Sequence, residues 1–336
     1  MWFNGIRGQH VLAPYPGFRN REGGIVMIIT VTLNPAVDEE YVVPEFRPGG
    51  WFRASETNRS AGGKGVNVSL ILSQLGYSSA AMGFLAGFNG EFIRDELRKK
   101  RITTNFVHVR GETRTNVYIV DEIGHVETGI TESGPYVSEG ALGRFLNNYD
   151  RMLTRAKFVY MGGSLPPGVP QDIYRELISR AKNKGITTLV DAAGPSLMEA
   201  LEIGPNIAKI DRRFINQMVG ISLTSLDNLI SLVSKVHEYG VEWATTSYRA
   251  YGEVFFTPKG VYLAEFGRKG LVSMFGAGEA LMAGLMVGFV EGLNVEDMIR
   301  FSMACAWEDA LHIEKGISSR EKVEDLMEEV TLEKLS

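Results

Sequence analysis

From Met27 onward, short apolar runs alternate with stretches in which apolar residues recur every three or four positions. The runs predict strands over 28–33, 79–84, 158–161, 187–190, 207–210 and 243–246. The periodic stretches predict helices over 66–75, 91–99, 139–155, 172–183, 226–238, 279–291 and 295–312. Strands and helices in this alternation build a mostly parallel sheet with helices on both faces. Val159 and the pair Leu189-Val190 lie in brief apolar runs bounded by turn residues, as burial on both faces requires. Two regions break the rhythm. Residues 41–58 read as extended chain with a Pro48-Gly49-Gly50 turn, and 106–130 read as successive strands with a turn at Gly124. Strands without intervening helices suggest a small accessory sheet with segments at about 38–60 and 106–130. Such a sheet could serve as a lid over a cleft or as a dimer contact, and the two roles can coexist.

Residues 1–26 carry Pro14, Pro16, Gly17, Gly23 and Gly24 and show neither period. Strand-like sequence starts at Met27, two residues after the Glu22-Gly23-Gly24 stretch, which a bacterial gene can encode with a purine-rich, ribosome-binding-like segment. These residues are therefore expected to be an extension from a misassigned start, or else a mobile tail. Residues 27–336 then form a single α/β domain.

Composition narrows the classes. At 336 residues, 44% hydrophobic and 22% charged, the chain reads as globular rather than disordered. Its net charge of -5, with both signs mixed along the chain, offers no basic block for nucleic acid or membrane. An anionic substrate would need local cations and backbone donors. The single cysteine, Cys305, lies in an apolar run and excludes an intrachain disulfide; a reducing cytoplasm is the compartment it fits. The histidines form no metal-binding pattern, so no protein-held metal is expected.

Glycine-rich loops carry the candidate chemistry. Gly62-Gly63-Lys64-Gly65-Val66-Asn67 opens a helix: glycines admit a ligand close to the backbone, the helix start offers amides, and Lys64 adds a charge. The same spacing would also suit a flexible loop with a solvated lysine. It is not a P-loop, because Gly65 follows the lysine where Ser or Thr belongs. Leu33-Asn34-Pro35-Ala36-Val37-Asp38 lies at the C-terminal end of the first strand, where open α/β sheets bind ligands; Asp38 could accept from hydroxyls or stabilise its own turn. Gly162-Gly163-Ser164-Leu165-Pro166-Pro167-Gly168 follows another strand. Gly276-Ala277-Gly278-Glu279 opens a helix whose first amides could receive a phosphoryl group beside the Glu279 carboxylate. Ala280, Ala283, Gly284 and Gly288 are small and suit close packing of that helix on the sheet.

Taken in order from about residue 27 to 316, these motifs, together with Glu112-Thr113-Arg114-Thr115-Asn116, resemble the phosphofructokinase-B family of ribokinase-like carbohydrate kinases. Within it they are most similar to the 1-phosphofructokinase and tagatose-6-phosphate kinase branch. The resemblance implies a ribokinase-like α/β fold with a β-sheet lid, often used for a homodimer. It implies transfer of a phosphoryl group from ATP, with Mg²⁺, to a hydroxyl of a phosphorylated ketohexose. By the same resemblance Asp38 would bind sugar hydroxyls, Gly63, Lys64, Asn67 and Arg114 would hold the sugar and its phosphate, and Ser164 would line the cleft. Glu279 stands at the family's catalytic aspartate, after the anion-binding Gly276, Ala277 and Gly278. Lys209, Asp211, Ser247, Arg249 and Gly252 fall in the nucleotide-binding motifs. There Asp211, Phe214 and Arg249 depart from the family pattern, as Tyr118 does near the sugar phosphate. Changes gathered in the nucleotide half leave open a sensor that binds sugar phosphate without turnover. A kinase of a neutral substrate is disfavoured by Lys64 and Arg114.

Overall fold

The computed structural model describes residues 27–124, 126–211, 228, 230, 235–267 and 270–335. The N-terminal 26 residues, Phe214 and most of the helix expected over 226–238 lie outside them. β1 (Met27–Thr32) sits inside a ten-stranded sheet. It pairs in parallel with β4 (Ser79–Leu85) on one side and β8 (Ala156–Gly162) on the other. Parallel pairing continues outward through β5 (Thr103–His108) beyond β4. On the other side it runs through β9 (Thr187–Ala192), β10 (Ile207–Ile210) and β11 (Trp243–Tyr248). The sheet then turns antiparallel through β12 (Gly252–Thr257), β13 (Gly260–Glu265) and β14 (Thr331–Lys334).

Alternation along β1 divides the core. Ile29 and Val31 pack with the helices Glu139–Leu153, Ile173–Lys182 and Pro195–Glu202; Ile28 packs with Lys64–Gln74, Ala277–Glu291 and Val295–Ala310 on the opposite face. Ala277–Glu291 is buried nearly all round. Its glycines do not serve the sheet as the sequence reading supposed. A Cβ on Gly284 would lie 2.8 Å from Ser302 Cα, and one on Gly288 would meet Met298, so both positions let Val295–Ala310 approach. Cys305 is buried in the same layer, and burial pushes its thiol up, away from reactivity. No helix among the described residues is long and apolar enough to cross a membrane.

The accessory sheet has the order β3 (Glu56–Gly62), β2 (Ala36–Val43), β6 (Arg114–Asp121), β7 (Val126–Thr131). β2 and β6 run parallel and the outer pairs antiparallel. One expectation is corrected here: residues 106–108 belong to β5 of the large sheet, because Phe106 and Val107 pair with Gly83 and Phe84 and bury against that core. The small sheet packs Val37 and Ala61 against Ile93 and Leu97 of the helix Gly87–Lys99, and it also meets two loops of the C-terminal half. Met274 N donates to Glu127 Oε1 on β7 at 2.7 Å, and the rings of Phe275 and Tyr118 lie 4.3 Å apart. Ile313 packs between Val42 and Val120.

Candidate active site

The C-terminal end of β1 and the start of Lys64–Gln74 meet through glycines. Gly63 caps the helix with φ 110, a conformation costly for any other residue. A Cβ there would stand 2.6 Å from Thr32 Cγ2, and one on Gly62 would run into the Asp38 carboxylate. Thr32 Oγ1 accepts from Val66 N at 2.9 Å, giving the helix start the side-chain acceptor that Gly63 lacks. A Cβ on Gly65 would sit 2.7 Å from that oxygen and 2.8 Å from Val31 O. Gly65→Ala should therefore cost about 1–3 kcal/mol by overpacking. Denaturant unfolding of the variant measures it, and an unchanged midpoint would contradict this packing.

Lys64 projects from the glycine turn into a cluster of charge. Its Nζ lies 3.0 Å from Asp191 Oδ2 and 3.1 Å from Glu279 Oε1. Asp191 is the penultimate residue of β9 and also accepts from the Tyr160 hydroxyl at 3.1 Å. Burial works against the charge on Lys64, but the two carboxylates outweigh it and hold the ammonium above the usual lysine range. Burial pushes Asp191 up despite Lys64, with the Glu279 charge adding to the effect. Glu279 goes the other way. Burial would raise it, but Lys64, Lys315 and the helix-start backbone overcome that and hold it below the ordinary glutamate value. Glu279 is thus the carboxylate kept ionised.

The turn before Glu279 is shaped for an anion. Gly276 has φ 107, and the amides of Gly276 and Gly278 carry no hydrogen bond among the described residues. Those of Ala277 and Glu279 are engaged within the turn, with Met274 O and Gly276 O. The notch therefore offers fewer donors than the motif suggested. On its other side lies Asp309, which burial drives well above the carboxylate range.

Around Asp38 the side chains form a dense polar pocket. Asn116 Nδ2 donates to Asp38 Oδ1 at 2.7 Å, and Lys315 Nζ pairs with Asp38 Oδ2. Arg114 is anchored by Nε and one terminal nitrogen on Asn34 O, at 3.1 and 3.0 Å, and by the other on Glu132 O at 3.2 Å. Ser164 Oγ accepts from Asn34 Nδ2 at 3.2 Å. The Oδ1 atoms of Asn67 and Asn116 are buried with no hydrogen-bond partner among the described residues, which leaves acceptors facing inward for hydroxyl donors. Burial raises the Tyr118 hydroxyl above the usual tyrosine value, and the charges of Asp38, Lys315, Glu279 and Arg114 all act on it. The cations expected to hold the sugar phosphate thus share one neighbourhood with Glu279.

A cavity of about 230 Å³ opens on the other side of Gly278. Lys209, Ser247 and Gly252 line its polar side, and Tyr251, Phe266, Leu281 and Met303 are among its apolar walls. Lys209 reaches over the helix start, where a Cβ on Gly278 would be 3.4 Å from its Cε. Lys209 Nζ is held by Glu253 Oε1 at 2.6 Å, and Thr245 Oγ1 donates to the same atom at 2.6 Å. Arg249, at φ 55, turns outward with its guanidinium 4.9 Å over the Tyr248 ring and does not line the cavity. Asp211 follows β10 and is half-buried outside the cavity wall.

Sequence reasoning passed over Asp191, Glu253 and Lys315. Asp191 had a signal: it stands at the C-terminal end of a core strand, three residues ahead of Gly194, and the end of a strand is also what points to the loop that leads to Asp38. Lys315 had none, since its partner is distant in sequence.

The large sheet covered on both faces and capped by the small sheet is the ribokinase-like α/β fold. A ribokinase of Arabidopsis thaliana, solved with ribose and ATP, shares that fold with a TM-score of 0.71 over 90% of this chain and 98% of its own, at 19% identity. The pattern of the pfkB family carbohydrate kinases matches residues 29–316, and the chain belongs to that family. It is 33% identical over 309 residues to the 1-phosphofructokinase of Bacillus subtilis strain 168, covering 92% of this chain and all of that one. The crystal structure of a possible 1-phosphofructokinase of Thermotoga maritima superposes with a TM-score of 0.85 at 34% identity, over 92% of this chain and all of that one.

Proposed function

We propose that the protein transfers the γ-phosphoryl group of ATP to a hydroxyl of a phosphorylated ketohexose of the fructose-1-phosphate type, giving a sugar bisphosphate. One observation carries this reading. Glu279, held ionised by Lys64 at 3.1 Å, stands beside the open Gly276 and Gly278 amides, between the Lys209-lined cavity and the pocket of Asp38, Asn116 and Arg114. A hydroxyl from the polar pocket would give its proton to Glu279 as its oxygen bonds to phosphorus. The bond to the bridging oxygen breaks and ADP leaves. The glycine amides and Lys64 face the charge that develops on the moving group. The apolar walls around Tyr251 and Phe266 suit a nucleobase, with Lys209 and Ser247 towards its phosphates. Mg²⁺ would come with the nucleotide, held chiefly by phosphate oxygens, and would neutralise their charge.

A second reading, a sugar-phosphate binder without turnover, draws support from the cavity's size, since ligand pockets usually span ~300–1,000 Å³ and this one holds about 230 Å³. A coupled assay of ADP release with ATP, Mg²⁺ and fructose-1-phosphate, fructose-6-phosphate or tagatose-6-phosphate separates the two. Turnover is expected with at least one. Folded protein that binds a sugar phosphate calorimetrically but releases no ADP would leave only the binder.

A further inference from the structure

Asp38 is buried, and in this structure neither of its oxygens is free: Asn116 holds one and the Lys315 ammonium the other. Each oxygen could accept a further donor, but at 1% exposure a sugar hydroxyl finds room beside Asp38 only when one of these partners moves. Asn116 belongs to β6, the strand paired with β2 along its length, so it has little freedom. Lys315 comes from the loop after Val295–Ala310. Its backbone is pinned next door, where Gly316 N donates to Asp309 Oδ1 at 2.5 Å, but its flexible four-carbon stem can change rotamer without moving that loop. The loop lines a cavity of about 420 Å³.

The charges around Lys315 are unevenly matched. Its side chain is 4% exposed and faces two buried carboxylates, Asp38 and, at 3.8 Å, Glu40. Glu40 Oε2 accepts from Asn58 at 2.7 Å, while its Oε1 has no hydrogen-bond partner among the described residues. The Lys315 ammonium also lies 4.8 Å over the Tyr118 ring, on whose hydroxyl the charge of Arg114 acts as well. Arg114, Asn116 and Tyr118 alternate onto one face of β6, the face on which Asn116 meets Asp38, so the Arg114 guanidinium and the Lys315 ammonium lie on the same side of the small sheet, where a doubly charged phosphate can pair with both.

We propose that Lys315 is a substrate-anion receptor held in reserve: in the empty site its ammonium closes Asp38, and an incoming sugar phosphate draws it off, so that Asp38 is released for a hydroxyl only when the ligand carries the anion. The exchange trades one ion pair for another and makes Lys315 a specificity-determining residue. It rests on the reading that the substrate is a phosphorylated sugar.

The test uses the full chain, its Lys315→Met variant and its Lys315→Arg variant. KM and kcat are measured with the best of the three sugar phosphates above, alongside the calorimetric Kd without nucleotide. Lys315→Met is expected to raise both KM and Kd at least about tenfold while kcat changes far less, and Lys315→Arg to recover part of the affinity. Because the Met variant leaves two carboxylates facing each other, a Lys315→Met/Glu40→Gln protein, with the same formal charge in the cluster as the native one, serves if the single variant does not fold. Unchanged KM and Kd in the Met protein would overturn the inference and leave the kinase reading standing. Failure of the native chain to bind any of the sugar phosphates would remove both.

Discussion

Replacing Glu279 by Gln should lower kcat for phosphoryl transfer by about 10²–10⁴-fold while leaving sugar-phosphate affinity within a few fold, because the amide keeps the shape of the side chain but cannot take the hydroxyl proton. Steady-state kinetics beside calorimetry separates the two effects. A Gln variant within tenfold of the native kcat would remove Glu279 from the chemistry. Glu279→Asp is the finer probe. The native carboxylate meets Lys64 at 3.1 Å, so the site is fitted to glutamate, and withdrawing the group by one methylene should cost on the order of a hundredfold in rate. A gain would mean that the surrounding turn still suits the shorter acid.

The second large effect is expected at Lys64. Its ammonium is shared by Asp191 and Glu279, and Lys64→Met leaves two buried carboxylates without their common cation. Losing one partner of a fully buried pair costs about 3–5 kcal/mol; with the Lys64 side chain 34% exposed, solvent takes up part of this. A loss of about 2 kcal/mol is therefore expected from denaturant unfolding.

The same change moves the pH profile. Glu279 is held below the usual glutamate value, so it stays deprotonated, and competent as a base, down to acid pH. The stability it contributes is present above its unfolded pKa and is lost as pH falls through the lower folded value. Without Lys64, burial dominates and raises the carboxyl, so the acid limb of kcat/KM should move up by about 1–3 pH units. An acid limb that stays where it is would show that Lys64 does not set the state of Glu279.

Much of this arrangement could be read from local pattern. The parallel strands are buried on both faces and stand out as apolar runs; β1 has every residue but its first buried. The helix Glu139–Leu153 has a serine cap and a one-sided apolar stripe, and its start at 139 is where the pattern put it. The antiparallel edge was harder. Gly252–Thr257 is buried at every position, so it shows no alternation, although Pro258-Lys259-Gly260 marks the turn to β13. Phe106 reads with the accessory sheet because no helix separates it from the strands that follow, yet register against β4 decides its place. At the site, glycine turns at helix starts point to Lys64 and Glu279, and the end of the first strand points to Asp38, because backbone shape there is written into adjacent residues. The pairings Lys64–Asp191 and Lys315–Asp38 are long-range, and no spacing along the chain encodes them.

The bond between Met274 N and Glu127 Oε1 ties β7 to a residue two places ahead of Gly276. The Gly276 turn thus takes one of its supports from outside the large sheet. A displacement of the small sheet would break that brace and loosen the turn. Under the proposed function, water would then find the donor's terminal group poorly cradled, and a covered cleft would hold the turn firm. One peptide N–H would then help guard against wasteful hydrolysis of the nucleotide.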